Sequence, residues 1–234
     1  MSEKYIKFFE GFALAYGVAD MSTLKIDPES GKQKPIYRWN DEQLTDKIYK
    51  NHLEGTQSIG VQPCNENGQA RFGVIDIDPS DYGDFDRKFF IDTLQTYNLP
   101  LIPVLSKSGG LHLYMFIDKF IDASLIKSFL SNLLPIFKLK PDTEIFPKQT
   151  QLTKDNETGQ LNKGNFINLP YFKKTERVAI NIDGTHFTFE QFIEVIENNT
   201  VSQEDLKIIT DSIDKQDMEG VDEEFIEGPP CLAH

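Results

Sequence analysis

The stretch Phe72-Gly73-Val74-Ile75-Asp76-Ile77-Asp78-Pro79-Ser80 has the composition of a buried β-strand that ends in two carboxylates and is stopped by a proline. β-Branched residues favour the strand, and Pro79 has no N–H for a sheet ladder. Side chains alternate across a strand, so Asp76 and Asp78 share one face while Ile75 and Ile77 take the other. Two acids so placed repel each other and lose hydration unless something cationic stands between them. A divalent metal is the usual solution, and hard carboxylate oxygens suit Mg²⁺ or Mn²⁺. The alternative is a solvated strand end, where aspartate is common.

Around this strand, the chain of 234 residues has room for one sizeable domain with a small extension. Hydrophobic residues make up 39% and aromatics 12%, which suits a packed core rather than a disordered chain. Cys64 and Cys231 are too few for a disulfide framework and fit a reducing compartment. No Cys/His cluster has zinc spacing. The N-terminal aromatics Phe8, Phe9 and Phe12 are interrupted by Lys7 and Glu10, so they form neither a signal peptide nor a membrane span. A cytoplasmic protein without membrane contact is expected.

The net charge of -13 argues against nucleic acid when taken whole. Its distribution weakens that objection. Residues 201–234 carry ten acids against Lys207 and Lys215, a charge of -8 that leaves -5 for residues 1–200. Lys138, Lys140, Lys148, Lys154, Lys163, Lys173, Lys174 and Arg177 crowd the segment after the central strand.

Taken in order, Asn40 or Asp41 caps a helix to about Leu53, with Leu44, Ile48 and Leu53 on its apolar face. Residues 58–63 read as a strand, and the turn Asn65-Glu66-Asn67-Gly68 suggests a hairpin with the central strand. A helix over Phe85–Tyr97, strands over Leu101–Leu105 and Leu111–Ile117, and a helix over Ala123–Phe137 with Leu125, Phe129, Leu133 and Leu134 inward follow. Short strands are expected over Thr143–Phe146, Phe166–Leu169 and Val178–Ile182. Thr188 and Gln191 make a capping box, and the acidic tail adds one more helix. The interleaving predicts an α+β domain with a mixed sheet, spanning residues 1–200, with 201–234 as an acidic tail or linker.

Two further segments carry chemistry. In Ser106-Lys107-Ser108-Gly109-Gly110-Leu111-His112, glycines allow backbone N–H groups close to an anion, and Lys107, the hydroxyls and His112 add phosphate donors. The alternative is a serine-rich hairpin turn. In Asp142-Thr143-Glu144-Ile145-Phe146-Pro147-Lys148-Gln149 a third carboxylate precedes a lysine. Glu144 is the preferred ligand and Asp142 the reserve. Three carboxylates suit two ions about 3.5–4 Å apart, with cations on the triphosphate. Phe166, Tyr171 and Phe172 are candidates for stacking on bases, with core packing the expected role of at least two.

In this order the segments resemble the archaeo-eukaryotic primase superfamily, and within it the primase-polymerase domains of phage, plasmid and mobile-element replication proteins. The resemblance rests on Asp76 and Asp78 on a strand, the Ser108 to His112 segment, Glu144 with Pro147-Lys148-Gln149, Gly164 to Pro170, and His52 to Gly55 before Ile59-Gly60-Val61. It covers roughly residues 40–175. The gap between Ser108 and His112 is wider than the family's Ser-x-His, and no zinc module is present. The resemblance implies an RRM-like sheet packed on a smaller α/β unit, with the active site between them. It implies catalysis and metal binding by Asp76, Asp78 and Glu144, and a catalytic His112. It also implies dNTP or NTP binding by Ser106, Lys107, Ser108, Gly109, His112 and Lys148. The implied partners are single-stranded DNA template and primer, with a C-terminal helicase region in a longer replication protein.

The expected function is template-directed nucleotidyl transfer from dNTP or NTP by a DNA primase-polymerase. One rival is a non-catalytic single-strand or origin-binding module on the same fold. Another is a rolling-circle nicking endonuclease, whose chemistry wants paired histidines and a nucleophilic tyrosine. His112-Leu113-Tyr114 offers one histidine, which weighs against it.

Overall fold

The computed structural model describes residues 1–26, 33–82, 84–107, 109–156, 159 and 161–223. The N-terminal elements are α1 (Ser2–Phe8), β1 (Tyr16–Ile26), β2 (Gln33–Asn40), α2 (Asp46–Glu54) and β3 (Ile59–Val61). The central run is β4 (Gln69–Ile77), a 3-10 turn (Pro79–Asp81), α3 (Arg87–Thr96), β5 (Ile102–Leu105), β6 (Leu111–Asp122), α4 (Ala123–Leu133) and β7 (Glu144–Phe146). Then come β8 (Ile167–Asn168), α5 (Phe189–Asn199) and α6 (Gln203–Glu223). None of the described helices is long and apolar enough to cross a membrane.

The strands form two four-stranded sheets, ordered β2-β1-β3-β8 and β5-β6-β4-β7. In the second, the chain runs strand-helix-strand-strand-helix-strand, with the first and third strands adjacent at the centre. That is the RRM-like (split βαβ) arrangement. The protein is α+β, this sheet packing against the smaller N-terminal unit. Pairing within both sheets is antiparallel, and parallel pairing enters at the isolated bridge Ile117–Val201.

The alternation read in the central strand is realised. Ile75 and Ile77 lie in a core with α3 and α4, among Phe90, Leu94, Ile126 and Leu130. Phe72 and Val74 face the other way, into a second core that joins the two sheets through α1 and α5. Phe9 sits at its centre, with ring centroids 5.4 Å from Phe72, 5.7 Å from Tyr114 and 5.3 Å from Phe116.

Several boundaries differ from the sequence reading. β3 does not form a hairpin with β4. The turn closes as expected, Asn65 N–H donating to Gln69 O at 2.8 Å, but β3 pairs with β1 and β8, so the turn hands the chain between sheets. α2 starts at Asp46 after Thr45 rather than at Asn40, because Asn40 still pairs with Tyr16 in the β1–β2 ladder. Leu125 is 42% exposed, and α4 buries Ile126, Phe129, Leu130 and Leu133, the set that follows the 3.6-residue period. Ala179 and Ile180 make isolated bridges rather than a strand. The capping box of Thr188 and Gln191 is present with both bonds.

His52 pins the N-terminal sheet from inside. Fully buried, its Nδ1 accepts from Ile59 N–H at 3.2 Å and its Nε2 donates to Pro170 O at 2.8 Å. Burial lowers its pKa from the ordinary 6.5 to about 4, with the nearby Arg177 charge adding to the effect and the Pro170 carbonyl opposing it. Below the ordinary value the unfolded chain binds a proton here that the folded chain refuses. Stability is therefore expected to fall as pH drops through that window, by about 3 kcal/mol in full. Urea unfolding on either side of the window, with an NMR titration of the His52 ring, checks this. A ring that titrates near its ordinary value would contradict it.

Candidate active site

The site grows out of two neighbouring rows across the β5-β6-β4-β7 sheet. Ile102, Tyr114, Val74 and Phe146 stand opposite one another and are all buried in the core between the sheets. One step towards the end of β4, the row is Val104, His112, Asp76 and Glu144. Val104 is fully buried, and side-chain exposure then climbs from 9% at His112 to 27% at Asp76 and 55% at Glu144. The apolar cover of this face runs out along the row, and the polar groups begin there.

Directly opposite residues on one sheet face have Cβ atoms about 4.5–5.5 Å apart, and like charges so placed repel. Each carboxylate has a basic neighbour. His112 Nε2 lies 3.2 Å from Asp76 Oδ1, which calls for the Nε2–H tautomer if the imidazole is neutral. Lys148 Nζ lies 2.5 Å from Glu144 Oε1 and above the Phe146 ring. Asp78, exposed past the end of β4, caps the 3-10 turn. Its Oδ1 accepts from Ser80 N–H at 3.1 Å and Ser80 O–H at 3.0 Å. Pro79 at the first position of that turn is the sequence signal for the cap.

Among the described residues, no three of His, Cys, Asp and Glu converge as a ligand set for an ion. The donor chemistry of Asp76, Asp78 and Glu144 nevertheless suits a hard divalent cation. Asp76 and Glu144 are in register on neighbouring strands, with Glu144 turned to Lys148. Asp142 lies in the turn before β7, outside the row.

The glycine turn meets β4 at its end. Ser106 N–H donates to Gly110 O, Gly109 N–H to Ser106 O, and Gly110 N–H to Ser106 Oγ at 3.0 Å. The Gly109 and Gly110 amides are thus used within the turn, and Lys107 stands exposed on it. Ser108 lies outside the described residues. The sequence reading missed Arg87, at the start of α3, whose Nη2 donates to Gly109 O at 2.5 Å. A cation in the first turn of the helix that follows the acidic strand is the pattern that would have found it. Gln149 Oε1 accepts from Gln62 Nε2 at 2.9 Å and from Asn165 N–H at 2.9 Å. It ties the segment after Lys148 to the N-terminal sheet. Tyr171 is wholly buried, Phe172 lies under Lys173 and Arg177, and Phe166 is half-buried.

The split βαβ sheet ends in a row of acids at its open edge, and one family model matches the chain. The family model described as the archaeo-eukaryotic primase domain of TOTE conflict systems matches residues 20–209. The chain belongs to that family, a primase-type one that is named for conflict systems rather than for replication. A solved structure described as the crystal structure of primase RepB' is similar over 96% of this chain and 67% of its own, at 10% identity and a TM-score of 0.33. At those values the likeness carries no weight for fold or function. Curated proteins give no match.

Gly110 fixes how closely the turn meets the acidic strand. A Cβ there would stand 2.1 Å from Ile77 O and 2.8 Å from Pro79 Cδ. Gly110→Ala is expected to push the backbone beside Asp78 and cost about 1–3 kcal/mol of stability. Urea denaturation of wild type and variant measures it, and an unchanged midpoint would show that the turn accommodates the methyl group.

Proposed function

We propose that this domain is a template-directed nucleotidyltransferase, a DNA primase-polymerase that makes or extends primers on single-stranded DNA from dNTP or NTP. The observation that carries the reading is the cross-strand row His112–Asp76–Glu144 at the open end of the sheet face, with Asp78 two residues on. Membership of a primase family supports it. Asp76, Asp78 and Glu144 would hold Mg²⁺ or Mn²⁺, which supplies charge neutralisation at the triphosphate and activation of the attacking hydroxyl.

The chain's own groups have separate tasks. Lys107 and Arg87, brought to one turn at the end of β4, attract the triphosphate. Ser106 holds that turn closed through Gly110. His112 orients the Asp76 carboxylate by its hydrogen bond and keeps Asp76 aligned with Glu144. Lys148, released from Glu144, is placed to meet phosphate on the β7 side.

Incorporation of labelled nucleotide on primed and unprimed single-stranded DNA, with Mg²⁺ or Mn²⁺, tests the reading. Asp78→Asn and Glu144→Gln should each lower incorporation about 100-fold or more, while Asp142→Asn stays near wild type. Product on unprimed template makes the enzyme a primase. DNA binding that survives in every variant without incorporation in any would replace this reading with a non-catalytic single-strand-binding module.

A further inference from the structure

Three partly exposed aromatic side chains are held together outside both cores, with the buried Phe12 ring behind Trp39 at 6.2 Å. Tyr37 and Trp39 alternate along β2 and share one face of the N-terminal sheet, and Phe166 lies between them. Its ring centroid is 4.9 Å from that of Trp39 and 6.4 Å from that of Tyr37, at interplanar angles of 80° and 67°. None of the three is part of a core cluster. Tyr37 is 46% exposed, and the other two are half-buried. Val18, Ile59 and Val61 of the same sheet turn the opposite way, into the core between the sheets.

The seat of Phe166 is built from glycines. Gly17 on β1 and Gly60 on β3 stand opposite each other, and a Cβ on either would come within 2.3 Å of the Phe166 ring. Glycine within a strand costs about 0.5–1 kcal/mol, so two of them here are a cost borne to seat an aromatic ring on an open sheet face. Trp39 is fixed by its Nε1–H, which donates to Gly164 O at 3.2 Å. The strip adjoins the acidic row, because Asn165, next to Phe166, is bonded to Gln149 in both directions, and Lys148 before it pairs with Glu144. Lys163, paired with Asp41, stands at the same edge.

We propose that the Tyr37–Phe166–Trp39 strip is a stacking platform for the bases of single-stranded nucleic acid, leading that strand to the acidic row. The inference rests on the nucleotidyltransferase reading and supplies a path for its strand. Planar bases stack on aromatic faces without regard to sequence, and Lys163 and Lys148 lie where the strand's phosphates would pass.

Trp39 is the only tryptophan in the chain, so its emission reports on this face alone. The full chain is titrated with end-labelled oligo(dT) and, in a parallel arm, oligo(U), following anisotropy of the label and Trp39 emission together. Both signals should change with one midpoint, and the tighter arm names DNA or RNA as the strand. Tyr37→Leu and Phe166→Leu should each weaken binding about tenfold. Tyr37→Leu, at an exposed position, should do so without a shift in melting temperature. Binding that leaves Trp39 emission and the Tyr37→Leu affinity unchanged would overturn the platform while leaving the nucleotidyltransferase reading intact. Absence of both oligonucleotide binding and nucleotide incorporation would overturn both and mark the strip as a surface for a protein partner.

Discussion

Burial of Phe9 between the two sheets is the constraint on which the site depends. Its ring touches β4 through Phe72, β6 through Tyr114 and Phe116, and α5 through Phe192, while Tyr49 of α2 donates its hydroxyl to the Phe9 carbonyl at 2.8 Å. One residue from the N-terminal segment therefore joins β4 and β6 to α2 and α5. The apolar cover it organises protects Ile102, Tyr114, Val74 and Phe146 and ends one row later. Without that cover the whole sheet face would be wet. The carboxylates are confined to the short zone where buried strand becomes open surface, in which electrostatic interactions are stronger than in bulk water.

The polar row also shows how the protein tolerates directly opposed acids. Asp76 has His112 on one side and Glu144 on the other, and Glu144 in turn has Lys148. His112 stands on β6 beside Asp76, and Lys148, beyond the end of β7, turns back to Glu144. The Glu144–Lys148 pair leaves neither charge unopposed at the open end of the row.

The acidic strand was legible because the period of two and the stop at Pro79 are local signals, and the Ile75/Ile77 face packs as the alternation requires. Thr188 and Gln191 were legible for the same reason. Partnership between distant segments was not. The turn Asn65–Gly68 announces itself, but nothing near it says that β3 finds β1 and β8 instead of β4. Phe8 and Phe9 read only as interrupted aromatics, because what they bury against lies far along the chain. The glycines of the Ser106–Gly110 turn pointed to anion contact through backbone N–H groups, and the close approach of Gly110 to Ile77 and Pro79 carried no local signal. Gly17 and Gly60 carried no local signal, since their purpose appears only when Phe166 is placed above them.

The cap at Asp78 has a consequence for ordering entropy. Both hydrogen bonds from Ser80 fall on Oδ1, so the carboxylate is held by the turn it starts rather than by anything in the site. A freely rotating exposed aspartate would have to be immobilised by whatever binds it. Here two hydrogen bonds to Oδ1 within the folded chain already restrict that rotation, leaving Oδ2 without a bond from Ser80. Ser80 thereby orients a carboxylate that stands just past the end of β4.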